Sequence, residues 1–328
     1  MKNILSLIAV VVALVGFGAI AQAQQPKKVP RIGWLSGGRL PGTLERREAF
    51  RQGLRELGYV EEKNIVIEWR TTDGNRDRFP ALLAELVRLK VDVIVTDSAG
   101  STRAAKAATA MIPIVMTNVG DPVESGFVAS LARPGGNITG LATLSPELSG
   151  KRLELLKEIV PKLSRVAVFG TSTSVSNAQE LKEVELAAGA LGLKLQYVDV
   201  LSPKDIETAF RAAGKERSGA VLMNVSGSIT NFQRKEIAEL AVKSRLPVVY
   251  GRRDSVEAGG LMSYGVSQLD LDRRAAVYVD KILKGRTPAD LPVEQPTKFE
   301  FIINLKAAKQ IGLTIPPNVL VRADKVIK

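Results

Sequence analysis

Val91-Asp92-Val93-Ile94-Val95-Thr96 runs straight into Asp97-Ser98-Ala99-Gly100-Ser101-Thr102, so a β-branched apolar stretch meets a string of small, hydroxyl-bearing residues. The first part reads as a strand buried on both faces; the second reads as a turn opening onto a helix from about Thr102 to Ala110. The unit recurs upstream. Arg31-Ile32-Gly33-Trp34-Leu35 stops at Ser36-Gly37-Gly38, and the helix that follows carries Phe50, Leu54 and Leu57 at i, i+4 and i+7, with Gly58 placed to cap its C-terminus. Next come Ile65-Val66-Ile67-Glu68-Trp69 and a helix bearing Leu82, Leu83, Leu86 and Leu89. Ile114-Val115-Met116-Thr117 closes the first set. Short apolar strands alternating with amphipathic helices predict right-handed βαβ units and a parallel sheet covered on both faces.

A second set repeats the first. Its strands are Arg165 to Phe169, Lys194 to Val200, Ala220 to Asn224 and Pro247 to Tyr250, each separated by a segment of helical period. Between the sets, Arg133-Pro134-Gly135-Gly136-Asn137-Ile138-Thr139-Gly140 is rich in turn formers and reads as the first crossover between two lobes. Ser145, with Pro146 behind it, starts the next helix, which Pro161 closes. After Gly259-Gly260-Leu261-Met262-Ser263-Tyr264-Gly265 the chain adds a helix from Leu269 to Leu283, a strand from Phe299 to Ile303, a helix from Asn304 to Ile311 and a Pro316-Pro317 tail. An extra helix and strand after two complete sets imply that the chain recrosses, joining discontinuous lobes by several segments that form a hinge.

Composition narrows the chemistry. The chain has 328 residues, enough for two domains with a core each, and contains neither histidine nor cysteine. Ser-His, Cys-His and zinc chemistry are thereby excluded, and no disulfide framework exists. A formal net charge of +12 is spread over the whole chain with acids between the bases, which does not read as a nucleic-acid footprint. The pairs Lys27-Lys28, Arg46-Arg47, Arg252-Arg253 and Arg273-Arg274 read as solvated faces, and so does Glu61-Glu62. No G-x-G-x-x-G follows the first strand, and neither a P-loop nor a G-x-S-x-G elbow is present. No metal or cofactor is expected. The apolar stretch from Ile4 through Ile20 ends in Ala21-Gln22-Ala23, the pattern of a secretory signal peptide over residues 1–23. A soluble periplasmic product is the expectation.

In parallel α/β sheets the ligand sits beyond the carboxyl ends of the strands. The candidates there are Ser36 after the first strand, Ser98, Ser101 and Thr102 after the third, and Asn118 and Asp121 after the fourth. The second lobe offers Ser172, Asn224, Tyr250 and Tyr264. Backbone N–H groups at Ser98 to Thr102, backed by the helix dipole, suit a carboxylate or phosphate oxygen; the same residues equally suit ordinary capping. Asp121, before Pro122, either receives a ligand ammonium or caps the helix after it. Tyr250 and Tyr264 either stack on a ligand or pack in the core.

At the ends of these elements the sequence resembles the ABC-transporter substrate-binding proteins of the tryptophan/tyrosine-binding type. The resemblance rests on Arg31-Ile32-Gly33-Trp34-Leu35, on Arg133 to Gly140, and on Glu257-Ala258 leading into Gly259 to Gly265. It extends through Lys284-Gly285-Arg286-Thr287-Pro288 and Leu291-Pro292-Val293-Glu294-Gln295-Pro296 to Ala323-Asp324-Lys325-Val326-Ile327. It implies a type I periplasmic-binding-protein fold: two lobes, each a parallel sheet flanked by helices, joined by three crossovers. The lobes are expected over 30–139 plus 265–292 and over 140–264 plus 293–328. It further implies a monomeric receptor, not an enzyme, that closes on a small polar or aromatic, amino-acid-like solute and presents it to an inner-membrane ABC permease with its ATPase. Ser98, Asn118 and Asp121 are the counterparts of positions that hold the zwitterion. The alternative is a sensor that signals to a membrane chemoreceptor or kinase.

Overall fold

A computed structural model describes residues 28–143, 146–174, 177–225, 227–230 and 233–328, so the signal-peptide segment and the Ser145 cap lie outside the described residues. The first lobe is a five-stranded sheet of order β2-β1-β3-β4-β5. Its strands are β1 (Arg31–Ser36), β2 (Val66–Thr71), β3 (Val93–Thr96), β4 (Ile114–Val119) and β5 (Ile138–Ala142), and all neighbours run parallel. Helices α1 (Leu40–Glu56), α2 (Phe79–Arg88) and α3 (Ala99–Ala108) alternate with them. Of the expected apolar stripe, Phe50 and Leu54 of α1 are buried but Leu57, at the C-cap, is exposed; Gly58 ends that helix at φ 86° while Tyr59 N–H reaches back to the Leu54 carbonyl at 2.9 Å. Helix α3 starts at Ala99, earlier than expected, because Ser98 and Ser101 form a reciprocal capping box.

The expected first crossover is itself partly a strand. Its last residues, from Ile138, form β5 on the edge of the first sheet, and Gly140 is a close-approach residue more than a turn former. With φ 136°, any Cβ there would lie 2.1 Å from the Met116 carbonyl oxygen. The crossing comes after Ala142.

The second lobe is a seven-stranded sheet of order β12-β11-β10-β9-β8-β6-β7. It comprises β6 (Arg165–Gly170), β7 (Lys194–Asp199), β8 (Ala220–Met223), β9 (Val248–Tyr250), β10 (Met262–Val266), β11 (Phe299–Asn304) and β12 (Lys325–Ile327). The strands are parallel except that β11 runs against β10. Helices α4 (Glu147–Ile159), α5 (Asn177–Leu191), α6 (Asp205–Lys215), α7 (Gly227–Thr230), α8 (Arg234–Lys243) and α9 (Arg253–Glu257) belong to this lobe. After α10 (Gln268–Leu283), helices α11 (Leu305–Gln310) and α12 (Pro317–Leu320) complete it.

Helix α10 is the exception to chain order. It follows β10 of the second sheet yet packs on α1 of the first lobe, where Leu271, Ala275, Ala276, Tyr278 and Val279 join Phe50, Leu54 and Trp34 in one core. The chain stays there until Glu294, whose N–H donates to the Gly140 carbonyl beside β5, and returns to the second lobe at β11. Three segments therefore link the lobes: one after Ala142, one at Ser267, and one between Glu294 and Phe299. Boundaries drawn at 139/140 and 264/265 fall inside β5 and β10. Among the described residues no helix is long and apolar enough to cross a membrane.

Contact between α1 and α10 is tight enough to require glycine. A Cβ on Gly53 would lie 2.1 Å from the Arg273 carbonyl oxygen, whereas one on Gly42, in the same helix, would meet nothing within 4 Å. Gly53→Ala should destabilise the protein by about 1–3 kcal/mol in urea unfolding through overpacking. Gly42→Ala should range from neutral to about 0.5 kcal/mol more stable. Equal effects of the two would contradict the seam.

Candidate functional site

The first lobe's carboxyl edge is organised around Arg46. Its Nε donates to Asp272 Oδ2 at 2.6 Å and its Nη2 to Asp272 Oδ1 at 2.9 Å, a two-point grip on helix α10. Nη1 reaches Asp97, at the end of β3, at 3.2 Å. Thr117 completes the knot by donating to Asp272 at 3.0 Å. Burial alone would lower the Arg46 pKa, but Asp272 and then Asp97 outweigh it and hold the guanidinium more firmly protonated than usual. The Arg46-Arg47 pair is thus no solvated face: the Arg46 side chain is 14% exposed and Asp272 fully buried. Arg47 and Arg51 instead cover Trp69, at 5.1 and 4.7 Å from the ring centroid. Glu61, also read as solvated, accepts from Trp69 Nε1 at 2.8 Å and from Arg51 Nε at 2.6 Å.

From Asp97 the order spreads to the candidates of the first lobe. Ser36 is fully buried and donates to Asp97 at 2.5 Å, while Gly37 N–H donates to the other oxygen at 3.2 Å. Ser98 and Ser101 bond each other as caps, and Thr102 shares a hydrogen with Thr96 at 2.7 Å; Ser101 and Thr102 are fully buried. Asp121 accepts from Val123 and Glu124 N–H groups at 2.9 and 3.0 Å, so one of its oxygens caps the turn beyond β4.

Asn118 differs from all of these. Its backbone sits at φ 54°, in the left-handed region, where the β4–β5 register is broken. Its Nδ2 donates to Thr117 Oγ1 at 3.1 Å, and because the Thr117 proton is committed to Asp272, the amide orientation is fixed. The Oδ1 atom is buried with no hydrogen-bond partner among the described residues.

In the second lobe, Ser172 is exposed and donates by hydroxyl and N–H to Asp199 on edge strand β7, at 2.6 and 2.8 Å; these bonds hold the Asp199 carboxyl below its usual range. Tyr250 is buried under Gly260, where burial pushes its phenol up and leaves its hydroxyl without a partner among the described residues. Tyr264 is half-buried against Phe299 and Phe301, with ring centroids at 6.2 and 6.3 Å. Asn224, at the end of β8, donates to Ser149 on α4 at 3.2 Å, and its Oδ1 is buried without a partner among the described residues.

Charge also bridges the lobes. Arg253 binds Glu45 of α1 at 3.1 Å across the divide. Asp254 is paired with Arg252 at 2.7 Å and Arg234 at 3.0 Å. Burial would raise the Asp254 carboxyl, but Arg252 and Arg234 outweigh that and, with a contribution from Arg46, hold it below the ordinary range. The edges are therefore more charged than the neutral lining their sequence suggested. Among the described residues no acidic cluster is placed to hold a metal ion.

Sequence reading missed Arg46, Asp272 and Arg152, and one signal marks them all. Arg46 precedes Phe50 by four in the buried stripe of α1, Asp272 precedes Ala276 by four in α10, and Arg152 follows Leu148 by four in α4. A charge in phase with a buried stripe faces the interior, not solvent.

Two α/β lobes joined by three segments give the chain the type I periplasmic-binding-protein fold. Residues 39–327 match the family described as ABC transporter substrate binding protein, and the chain belongs to it, a family of solute-binding proteins and not of enzymes. It is 27% identical over 275 residues to the tyrosine-binding protein of Clostridioides difficile, covering 83% of this chain and 78% of that one. A solved conserved domain protein from Vibrio cholerae is 30% identical, with 91% of this chain and 100% of that one covered at a TM-score of 0.77. The ABC domain from Streptococcus pneumonia in complex with L-Trp is 25% identical, with 91% and 99% covered at a TM-score of 0.78.

Replacing Arg46 by Gln would leave Asp97 and Asp272 without their cation. The variant should lose about 3–5 kcal/mol of unfolding free energy, the usual penalty for breaking a buried pair from one side. Denaturant unfolding at neutral pH measures it, and a loss below 1 kcal/mol would contradict the organising role.

Proposed function

We propose that this protein captures an amino-acid-like solute, aromatic ones included, between its lobes in the periplasm and delivers it to an inner-membrane ABC permease with its ATPase. The observation that carries this reading is that two of the three buried amide oxygens left unpartnered among the described residues, Asn118 Oδ1 and Asn224 Oδ1, stand one at a strand end of each lobe; the third, Gln233 Oε1, is at the start of α8. A buried acceptor without a donor is costly, and a ligand ammonium or N–H group removes that cost on binding. The tyrosine-binding and L-Trp-bound relatives support the same ligand class. In this reading Asn118 and Asn224 contact solute. Ser36, Ser101 and Thr102 brace the edge from behind, Ser98 and Asp121 cap their turns, Ser172 steadies the β7 end, and Tyr250 and Tyr264 shape the second lobe's wall. The lobes follow sheet membership, with α10 in the first. Closure around solute favours the arrangement that the permease engages.

Asn118→Ala and Asn224→Ala should each weaken L-tyrosine or L-tryptophan binding by roughly tenfold or more, the value of a hydrogen bond to a charged group. Calorimetric titration beside melting curves reads both quantities; unchanged affinity in both variants would sink the contact assignment.

Export follows from the same proposal. The periplasmic product should begin at Gln24, because Ala21 and Ala23 fill the small-residue cleavage positions. Intact mass decides it, and a membrane-bound product retaining residues 1–23 would count against a free receptor.

A further inference from the structure

Among the arginines near the divide, two have no carboxylate within ion-pair distance among the described residues: Arg47, whose guanidinium covers the Trp69 ring, and Arg152. Arg46, Arg234, Arg252 and Arg253 each pair with at least one carboxylate. Arg152 has none within ion-pair distance among the described residues; it bonds neutral groups only. Its Nε donates to the Tyr264 carbonyl at 2.7 Å and its Nη1 to Ser149 Oγ at 3.3 Å. Nη2 makes no hydrogen bond among the described residues and lies 3.0 Å from where a Gly251 Cβ would be, so the absent side chain leaves the guanidinium room at the end of β9. Burial lowers its pKa, with only the more distant field of Glu180 and Tyr264 opposing. Arginine nevertheless stays charged in proteins, so this is a half-buried cation whose hydrogen-bond partners among the described residues are all neutral.

Its surroundings suit one. Ser149 Oγ accepts from both Arg152 and Asn224, which leaves its own hydroxyl hydrogen to donate elsewhere. Asn224 and Gly251 directly follow β8 and β9, and Tyr264 lies in β10, so the three stand on adjacent strands of one sheet. We propose that Arg152, with the Ser149 hydroxyl, is the subsite that receives the carboxylate of the bound solute, in the planar two-point manner that guanidinium permits. The inference rests on the reading that solute lies between the lobes at these strand ends.

The test is a calorimetric panel on the full mature protein and its R152Q and R152K variants, with melting curves alongside. The ligands are L-tyrosine and L-tryptophan, their carboxamides, tyramine and tryptamine, and the two matching arylpropionates. Wild type should bind the acids at least roughly tenfold more tightly than the amides. R152Q should erase that ratio without weakening tyramine or tryptamine, and R152K should restore part of it. If R152Q kept the wild-type ratio while melting earlier, Arg152 would be a structural residue and the proposal overturned. Equal binding of acids and amides by wild type would also overturn it, yet leave the amino-acid reading standing. Binding confined to arylpropionates would sustain the Arg152 subsite and overturn the amino-acid reading. Binding of no ligand in the panel would overturn both.

Discussion

One guanidinium holds together parts of the chain that are far apart in sequence. Arg46 on α1 grips Asp272 on α10 at two points and Asp97 at the end of β3 at a third. Such buried pairs contribute less net stability than their short distances suggest, because desolvation offsets the Coulomb gain. Their use is to specify one arrangement, since any docking of α10 that separates Asp272 from Arg46 strands a charge. The docking of α10 in turn fixes where the chain re-enters and then leaves the first lobe, at Ser267 and beyond Glu294. The placement of the second and third linking segments therefore depends on this knot. The same Asp97 collects Ser36, Gly37 and Ser101, so β1, β3 and α3 are aligned from a common carboxylate.

At the strand-end edge most buried polar groups are hydrogen-bonded, and the atoms left without a partner among the described residues include Asn118 Oδ1 and Asn224 Oδ1. Asn118 is held by Thr117, itself held by Asp272, so its free oxygen is positioned by the same network. On the opposite side Asn224 and Arg152 converge on Ser149. Under the proposed contacts, groups held in place this way would reduce the ordering cost of binding. Arg253 and Glu45, partly exposed and on different lobes, form an ion pair across the divide.

The alternating period made the layered fold legible, and the late helix and strand revealed the recrossing. What escaped was local. Strand β5 was hidden because Gly140 looks like a turn former until the Met116 backbone, 2.1 Å from its missing Cβ, is in place. Strand β10 was obscured likewise by Gly259, Gly260 and Gly265, residues whose smallness serves neighbouring chain segments. Strand-end hydroxyls were legible as a group, but whether Ser98 or Asp121 caps a turn depends on backbone groups that sequence does not orient. The charged members were readable only through helical phase, which a composition of scattered bases disguises.

Closure of two lobes on solute is the claim on which the functional account turns. Small-angle scattering of the mature protein, alone and saturated with a ligand that raises its melting temperature, measures it most directly. The account predicts a smaller radius of gyration in the bound state, with the three linking segments bending and both lobes retaining their internal structure. A saturating, stabilising ligand that left the radius unchanged would contradict it.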